Sequence, residues 1–212
     1  MVRAPGSSSA GLAAAGVTGY LLGTVPSADL AARLATGGAT DLRVTGSGNP
    51  GAANAMAALG KVWGSAVLVT DIAKGALACV AGGRLAGAAG ANLAGTAAVV
   101  GHCWPVWSGF HGGKGVAVSS GQCLATFPAY FPIDLVVALV AARVRKQAFA
   151  ATVVASAVWV ASGALWWRRR WPNAWGPVPG PTLPLSAAAT SAVIVSRFAA
   201  ADRDRRLRRA GT

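Results

Sequence analysis

Two stretches of this chain concentrate the residue types that handle anions. In GFHGGKGV, residues 109–116, Lys114 stands among Gly112, Gly113 and Gly115, with His111 just before them. Backbone N–H groups beside glycine are unobstructed, and a lysine inside such a turn, ahead of a new helix, suits an anionic phosphate. A glycine-rich turn that merely lets the chain re-enter an apolar layer has the same composition. A Walker A loop is excluded, because Ser108 occupies the required glycine position and Gly115 replaces the Ser/Thr that would hold magnesium. The second stretch, TGSGNPGAAN at 45–54, offers Ser47, Asn49 and Asn54 as neutral hydrogen-bonding groups among further glycines. Ser47 lacks a Gly-x-Ser-x-Gly elbow and an evident histidine–carboxylate pair, so it reads as a hydrogen-bond donor to substrate rather than a nucleophile.

Three more ionisable residues fall inside apolar sequence. Asp71 and Lys74, in TDIAKGALA, are three apart and share a helix face. An ionised side chain within a membrane helix costs about 2.5–3.5 kcal/mol on insertion scales, and mutual pairing is the cheapest relief. The pair is either purely structural or borders a polar cavity. His102, just before Cys103 and Trp104-Pro105, is either a base or a loop-orienting residue.

The elements that must position these residues read as membrane helices. Of 212 residues, 54% are hydrophobic and only 12% charged, against about a quarter charged in soluble domains. Apolar windows fall near 10–33, 62–82, 88–107, 115–127, 130–143, 148–167 and 184–197, predicting an all-α polytopic protein of about seven transmembrane helices. The fourth and fifth windows are short, so they are two crossings or one crossing and a re-entrant piece. Small residues such as Gly82, Gly83, Gly87 and Gly90 suit close helix packing.

The net charge is +13, from 19 Lys+Arg and 6 Asp+Glu. The basic residues cluster at the ends of the apolar windows and no aromatic–basic binding motif appears, which argues for topology and anionic headgroups and against nucleic acid. With the N-terminus outside, the cytoplasmic face collects Arg33, Arg43, Lys61, Lys114, Arg143, Arg145, Lys146, Arg197 and the arginines of RDRRLRR. Arg3, Arg84 and Arg168–Arg170 fall outside, the triplet beside Trp166 and Trp167 reading as an interfacial anchor. This arrangement brings 41–54, 109–115 and the basic C-terminus to one side. One membrane domain, 1–212, is expected, with a flexible N-terminus over 1–9, a retained first helix and a basic cytoplasmic tail over 198–212. The loop WPNAWGPVPGP carries no catalytic residue types. Cys79, Cys103 and Cys123 show no CxxC spacing, so neither a disulfide framework nor a metal site is expected.

The pieces VPSADLAARL, DLRVTGSGNPGAANAMAALGK, DIAKGALA and GHCWPVWSGFHGGKGVAVSSG, in that order over about residues 20–125, resemble the bacterial acyl-phosphate:glycerol-3-phosphate acyltransferases of the PlsY type. The resemblance implies seven membrane helices in the inner membrane, a cytoplasm-facing site and transfer of an acyl chain from acyl phosphate to glycerol 3-phosphate, giving lysophosphatidic acid for phospholipid synthesis. It implies no cofactor, and a soluble enzyme as supplier of acyl phosphate. By the same resemblance Ser47 and Lys114 are the catalytic candidates. Asn49 and Asn54 line the site, Gly112, Gly113 and Gly115 hold phosphate, and Asp71, Lys74, His102 and Arg197 lie close by.

The match has gaps. The arginine expected ten residues after the motif serine is Ala57, and RFAAA replaces an RHxxN pattern, leaving Phe198 and Ala201 for the histidine and asparagine. Three readings follow: an active enzyme with substitute cations such as Lys61, Arg43 or Arg197; an acyltransferase for a different acceptor; or a degenerate, non-enzymatic membrane protein.

Overall fold

The computed structural model describes residues 8–143 and 148–210, and every regular element among them is helical. The expected flexible N-terminus, 1–9, falls mostly outside the described residues, as do Arg145 and Lys146. Helix α1, Ser9–Gly23, starts where the Ser8 side chain accepts the Gly11 N–H at 3.0 Å, satisfying one of the donors a helix start leaves unpaired.

The first helix is shorter than the window 10–33 predicts. Pro26 has no N–H and disfavours helical geometry at Val25, so α1 ends and α2, Ser27–Thr36, begins as a separate element. A short α3, Ala52–Leu59, leads into α4, Lys61–Cys103. That long element reverses at Ala86 and Gly87, where Gly87 adopts φ 59° and ψ −151°, a region reserved almost entirely to glycine. Its two arms, 61–85 and 88–103, approach so closely that Gly82 and Gly90 each abut the other's carbonyl. The Val106–Ser108 3₁₀ turn is followed by α5, Val116–Thr126, α6, Phe131–Arg143, α7, Ala148–Arg169, and α8, Thr182–Ala210.

Helix α1 lies on the second arm of α4. The backbone of Ala94 and Ala98 fills the space where Cβ atoms of Gly19 and Gly23 would stand, the close approach that small residues permit in lipid. The stretches Lys61–Ser108, Phe149–Arg169 and Thr182–Asp204 are long and apolar enough to cross a bilayer. Helix α5, with 11 residues, is about 17 Å long, well short of a hydrocarbon layer of about 30 Å. Its last carbonyls are met by protein. Asn173 Nδ2 donates to Thr126 O at 2.9 Å and to Pro177 O at 2.8 Å, and Trp175 Nε1 donates to Leu124 O at 3.1 Å. Carbonyls left open at a helix end are costly away from water, and here the proline-rich loop closes them.

Helix α8 runs the length of the bundle. Near its start Ser186 donates to Asn92 at 2.8 Å, further along Thr190 donates to Gln122 at 2.9 Å, and about midway Arg197 reaches Gly112 and Gly113. The start of α1, Arg84 and the end of α7 therefore share one end of the bundle, opposite Lys114 and Arg197. The basic segment expected as a tail from 198 onward is a continuation of α8 as far as Ala210.

Candidate active site

The end of the bundle that carries Arg197 holds an open cleft of about 920 Å³. Three separated pieces of chain wall it: 43–50, the glycine loop, and the last turns of α8. Ser47, Asn49, Lys114 and Arg197 all line it, together with Arg43, His111, Ala201 and Asp204.

The loop 43–50 is held from below. Asn54, buried on α3, accepts the Ser47 N–H at 2.9 Å and donates to Leu42 O at 3.0 Å and Thr45 O at 2.9 Å. These contacts occupy both ends of the amide. Asn54 thus shapes the loop that presents Ser47 and Asn49, and does not itself line the cleft as expected.

Arg43 is fixed on two sides. Its guanidinium forks onto Asp29 at 2.6 and 3.0 Å, and its Nε donates to His111 O at 3.1 Å. The hydrogen bonds to Asp29 push its pKa up against the opposing effect of burial, so it is cationic at every working pH. Arg197 is fixed in the same manner. Nε donates to Gly113 O at 3.1 Å, Nη2 donates to Gly112 O at 2.8 Å, and the guanidinium lies 5.7 Å from the Trp104 ring centroid. Lys114 Nζ stands 4.4 Å from the ring centroid of Phe198, within cation–π range.

The glycine loop differs from its expected phosphate-cradling form. The N–H groups of Gly112 and Gly113 donate to Cys103 O and His102 O, each at 3.1 Å, so these two donors are turned inward. What the loop presents is its carbonyls, which hold the two arginines. Gly115, at φ 85°, starts α5 with Val99 and Cys103 packed where a side chain would go. The cations of the cleft are therefore side chains: Arg43, Lys114 and Arg197.

Asp71, Lys74 and His102 lie behind the loop, buried. Asp71 Oδ1 accepts from Ser27 Oγ at 2.6 Å and pairs with Lys74 at 2.9 Å. Lys74 also reaches Val25 O at 3.0 Å and His102 Nδ1 at 2.9 Å. Lys74 and His102 border a crevice of about 20 Å³, too small for a substrate headgroup, and are not part of the lining of the large cleft. Ser27, Asp29 and Asp204 were not among the expected site residues. Ser27 and Asp29 fall in VPSADLAARL, a piece that carries the resemblance, but nothing in the sequence singles out either side chain, and Asp204 reads as an ordinary polar residue of the basic C-terminus.

Residues 13–205 match the family model described as glycerol-3-phosphate acyltransferase. The chain belongs to that family. Among curated glycerol-3-phosphate acyltransferases it is 48% identical to enzyme 4 of Dehalococcoides mccartyi over 50% of this chain and 56% of the relative. It is 39% identical to the Exiguobacterium sibiricum protein over 62% and 63%, and 42% identical to that of Rubrobacter xylanophilus over 68% and 74%. The first two matches thus span less than two thirds of those relatives. Against the crystal structure of the integral membrane glycerol-3-phosphate acyltransferase PlsY in its glycerol 3-phosphate form, the TM-score is 0.73 with 27% identity, covering 92% of this chain and 91% of the other. The lysophosphatidic acid form of the same enzyme matches at 0.70. This is a membrane acyltransferase fold.

Within the family frame, Ala201 lines the cleft and the Phe198 ring sits beside Lys114, so both C-terminal departures lie at the site. Ala57 is exposed on α3. Of the named substitute cations beyond Arg197, Arg43 is in the cleft wall.

Proposed function

We propose that this protein transfers a fatty acyl group from acyl phosphate to glycerol 3-phosphate, yielding lysophosphatidic acid and inorganic phosphate. One observation carries the reading: Ser47, Lys114 and Arg197, from three distant parts of the chain, line one cleft with Arg43. Both substrates are anionic phosphate esters or anhydrides, and three side-chain cations in one cavity suit them. Acyl phosphate is a mixed anhydride with a good leaving group, so direct attack by the acceptor hydroxyl on the acyl carbon needs no covalent enzyme intermediate. As the new ester bond forms, the C–O bond to phosphate breaks and the hydroxyl proton passes to the departing phosphate, which leaves as hydrogen phosphate while Lys114 and the guanidiniums stabilise its charge. Ser47 donates a hydrogen bond to a substrate oxygen. Orientation of the two substrates and exclusion of water supply much of the rate.

The cleft end faces the cytoplasm of the bacterial inner membrane, where the basic residues at that end favour the inner leaflet. The acyl tail stays in the bilayer while its headgroup enters the cleft, and a soluble enzyme delivers the acyl phosphate. The purified chain, given acyl phosphate and labelled glycerol 3-phosphate, should form labelled lysophosphatidic acid, and Lys114→Ala should lower that rate by about a hundredfold or more with an unchanged helical spectrum. Unchanged turnover in Lys114→Ala would remove the phosphate role from this lysine.

A further inference from the structure

Four buried polar residues, Ser27, Asp71, Lys74 and His102, form a connected network outside the lining of the large cleft. Buried ion pairs contribute little net stability, because desolvation offsets the attraction. What such a pair can impose is a fixed geometry. Here the geometry is fully determined by donor chemistry. The Lys74 ammonium can only donate, and its three acceptors are the Asp71 carboxylate, the Val25 carbonyl and His102 Nδ1, at 2.9, 3.0 and 2.9 Å. His102 Nδ1 is therefore an acceptor, and the ring proton sits on Nε2. Asp71 in turn is held by the Ser27 hydroxyl at 2.6 Å.

The far side of this network bears on the glycine loop. The His102 ring occupies the place where a Cβ on Gly113 would stand, and the carbonyls of His102 and Cys103 take the N–H groups of Gly113 and Gly112. The carbonyls of those same glycines hold Arg197. An unbroken run of contacts thus leads from Ser27 through Asp71, Lys74, His102 and the Gly112–Gly113 peptides to the guanidinium at the cleft.

We propose that the Ser27–Asp71–Lys74–His102 network is a positioning device that sets the Gly112 and Gly113 carbonyls and, through them, aims Arg197 at the phosphate group of substrate. This rests on the reading of the cleft as a phosphate-ester site. Asp71, Lys74 and His102 are positioning residues and make no substrate contact.

The test uses the full chain in lipid nanodiscs, with two independent readouts. Lys74→Met and His102→Ala should speed hydrogen–deuterium exchange at the Gly112 and Gly113 amides. They should also raise KM for glycerol 3-phosphate about tenfold or more, since displacing a binding group by about 1 Å is worth up to a hundredfold. His102→Asn keeps an acceptor for Lys74 in place of Nδ1 and should recover most of the loss. In an Arg197→Ala background, His102→Ala should add less than about twofold, because residues acting through one another are non-additive. Gly113→Ala perturbs the same joint from the loop side and serves if a network variant does not fold. Unchanged exchange at the two glycine amides, or effects of His102 and Arg197 that multiply independently, would overturn the proposal. If the unmodified chain shows no acyl transfer, the acyltransferase reading fails while the exchange measurements still decide the positioning role.

Discussion

At the scale of single residues, the cleft separates groups that meet substrate from groups that hold those groups still. Asn54 belongs to the second kind. Replacing it with alanine strands the Ser47 N–H and the Leu42 and Thr45 carbonyls, and an unsatisfied buried polar group costs about 1–3 kcal/mol. Asn54→Ala should therefore lower the thermal unfolding midpoint and weaken substrate binding together; a fall in activity with an unchanged midpoint would place Asn54 in direct contact with substrate. Phe198 and Ala201 are a sharper case, since both stand at the cleft in positions where the sequence resemblance leads one to expect a histidine and an asparagine. The triple variant Ala57→Arg, Phe198→His, Ala201→Asn should bind glycerol 3-phosphate more tightly than the natural sequence, by a lower KM. If only the triple variant turns over, the natural chain is a degenerate member; if the triple variant gains nothing, Arg43 and Arg197 already supply the charge.

At the scale of elements, the bundle is held by close backbone approach and by polar pairs. The seam of α1 with α4 is decided at Gly19 and Gly23, whose missing side chains leave room for Ala94 and Ala98. Gly19→Val forces the helices apart, and overpacking a well-filled contact costs about 1–3 kcal/mol or more; a midpoint in a thermal-unfolding scan equal to the parent's would refute the seam. The α7–α8 connection has a comparable role for α5. Without Asn173 and Trp175, the last carbonyls of an 11-residue helix would have no donor among the loop residues that now meet them. The sequence shows a proline-rich loop there and says nothing of this closure, because a capping donor can come from anywhere in the chain that folding brings near.

At the scale of the whole molecule, the basic residues fall at two opposite ends of the bundle. Arg168 and Arg169 end α7 beside the start of α8, and Lys114 and Arg197 lie at the opposite end. Cys79, Cys103 and Cys123 are all buried, so a single introduced cysteine can be labelled over a low background. With a membrane-impermeant maleimide on intact cells stripped of their outer barrier, Trp175→Cys should react and Val44→Cys should not, the reverse holding in inverted vesicles. Labelling of Val44→Cys from outside would invert the proposed orientation.

The helical class, the membrane setting and the stretches that build the cleft were legible in the chain itself, because apolar length, charge placement and glycine-rich turns are local properties. Lys114 and Ser47 stand out as polar groups in glycine-rich turns, whereas the choice of Arg197 comes from the family resemblance and not from any local property of the chain. Which hydrogen bonds the loop glycines make was not legible. Gly112 and Gly113 look like phosphate-binding donors in isolation, and only the arrival of His102 and Cys103 carbonyls beneath them turns their N–H groups inward. The break of the first window at Pro26 is written in the proline and the shortness of α5 in its window, yet the support α5 receives depends on a loop some fifty positions away. Likewise the spacing of Asp71 and Lys74 announces an ion pair, but the joining of His102 to it and the place of all three outside the cleft lining are set by helix packing. Local sequence fixes what a residue can donate, accept or bury, and tertiary structure alone fixes which partner it finds.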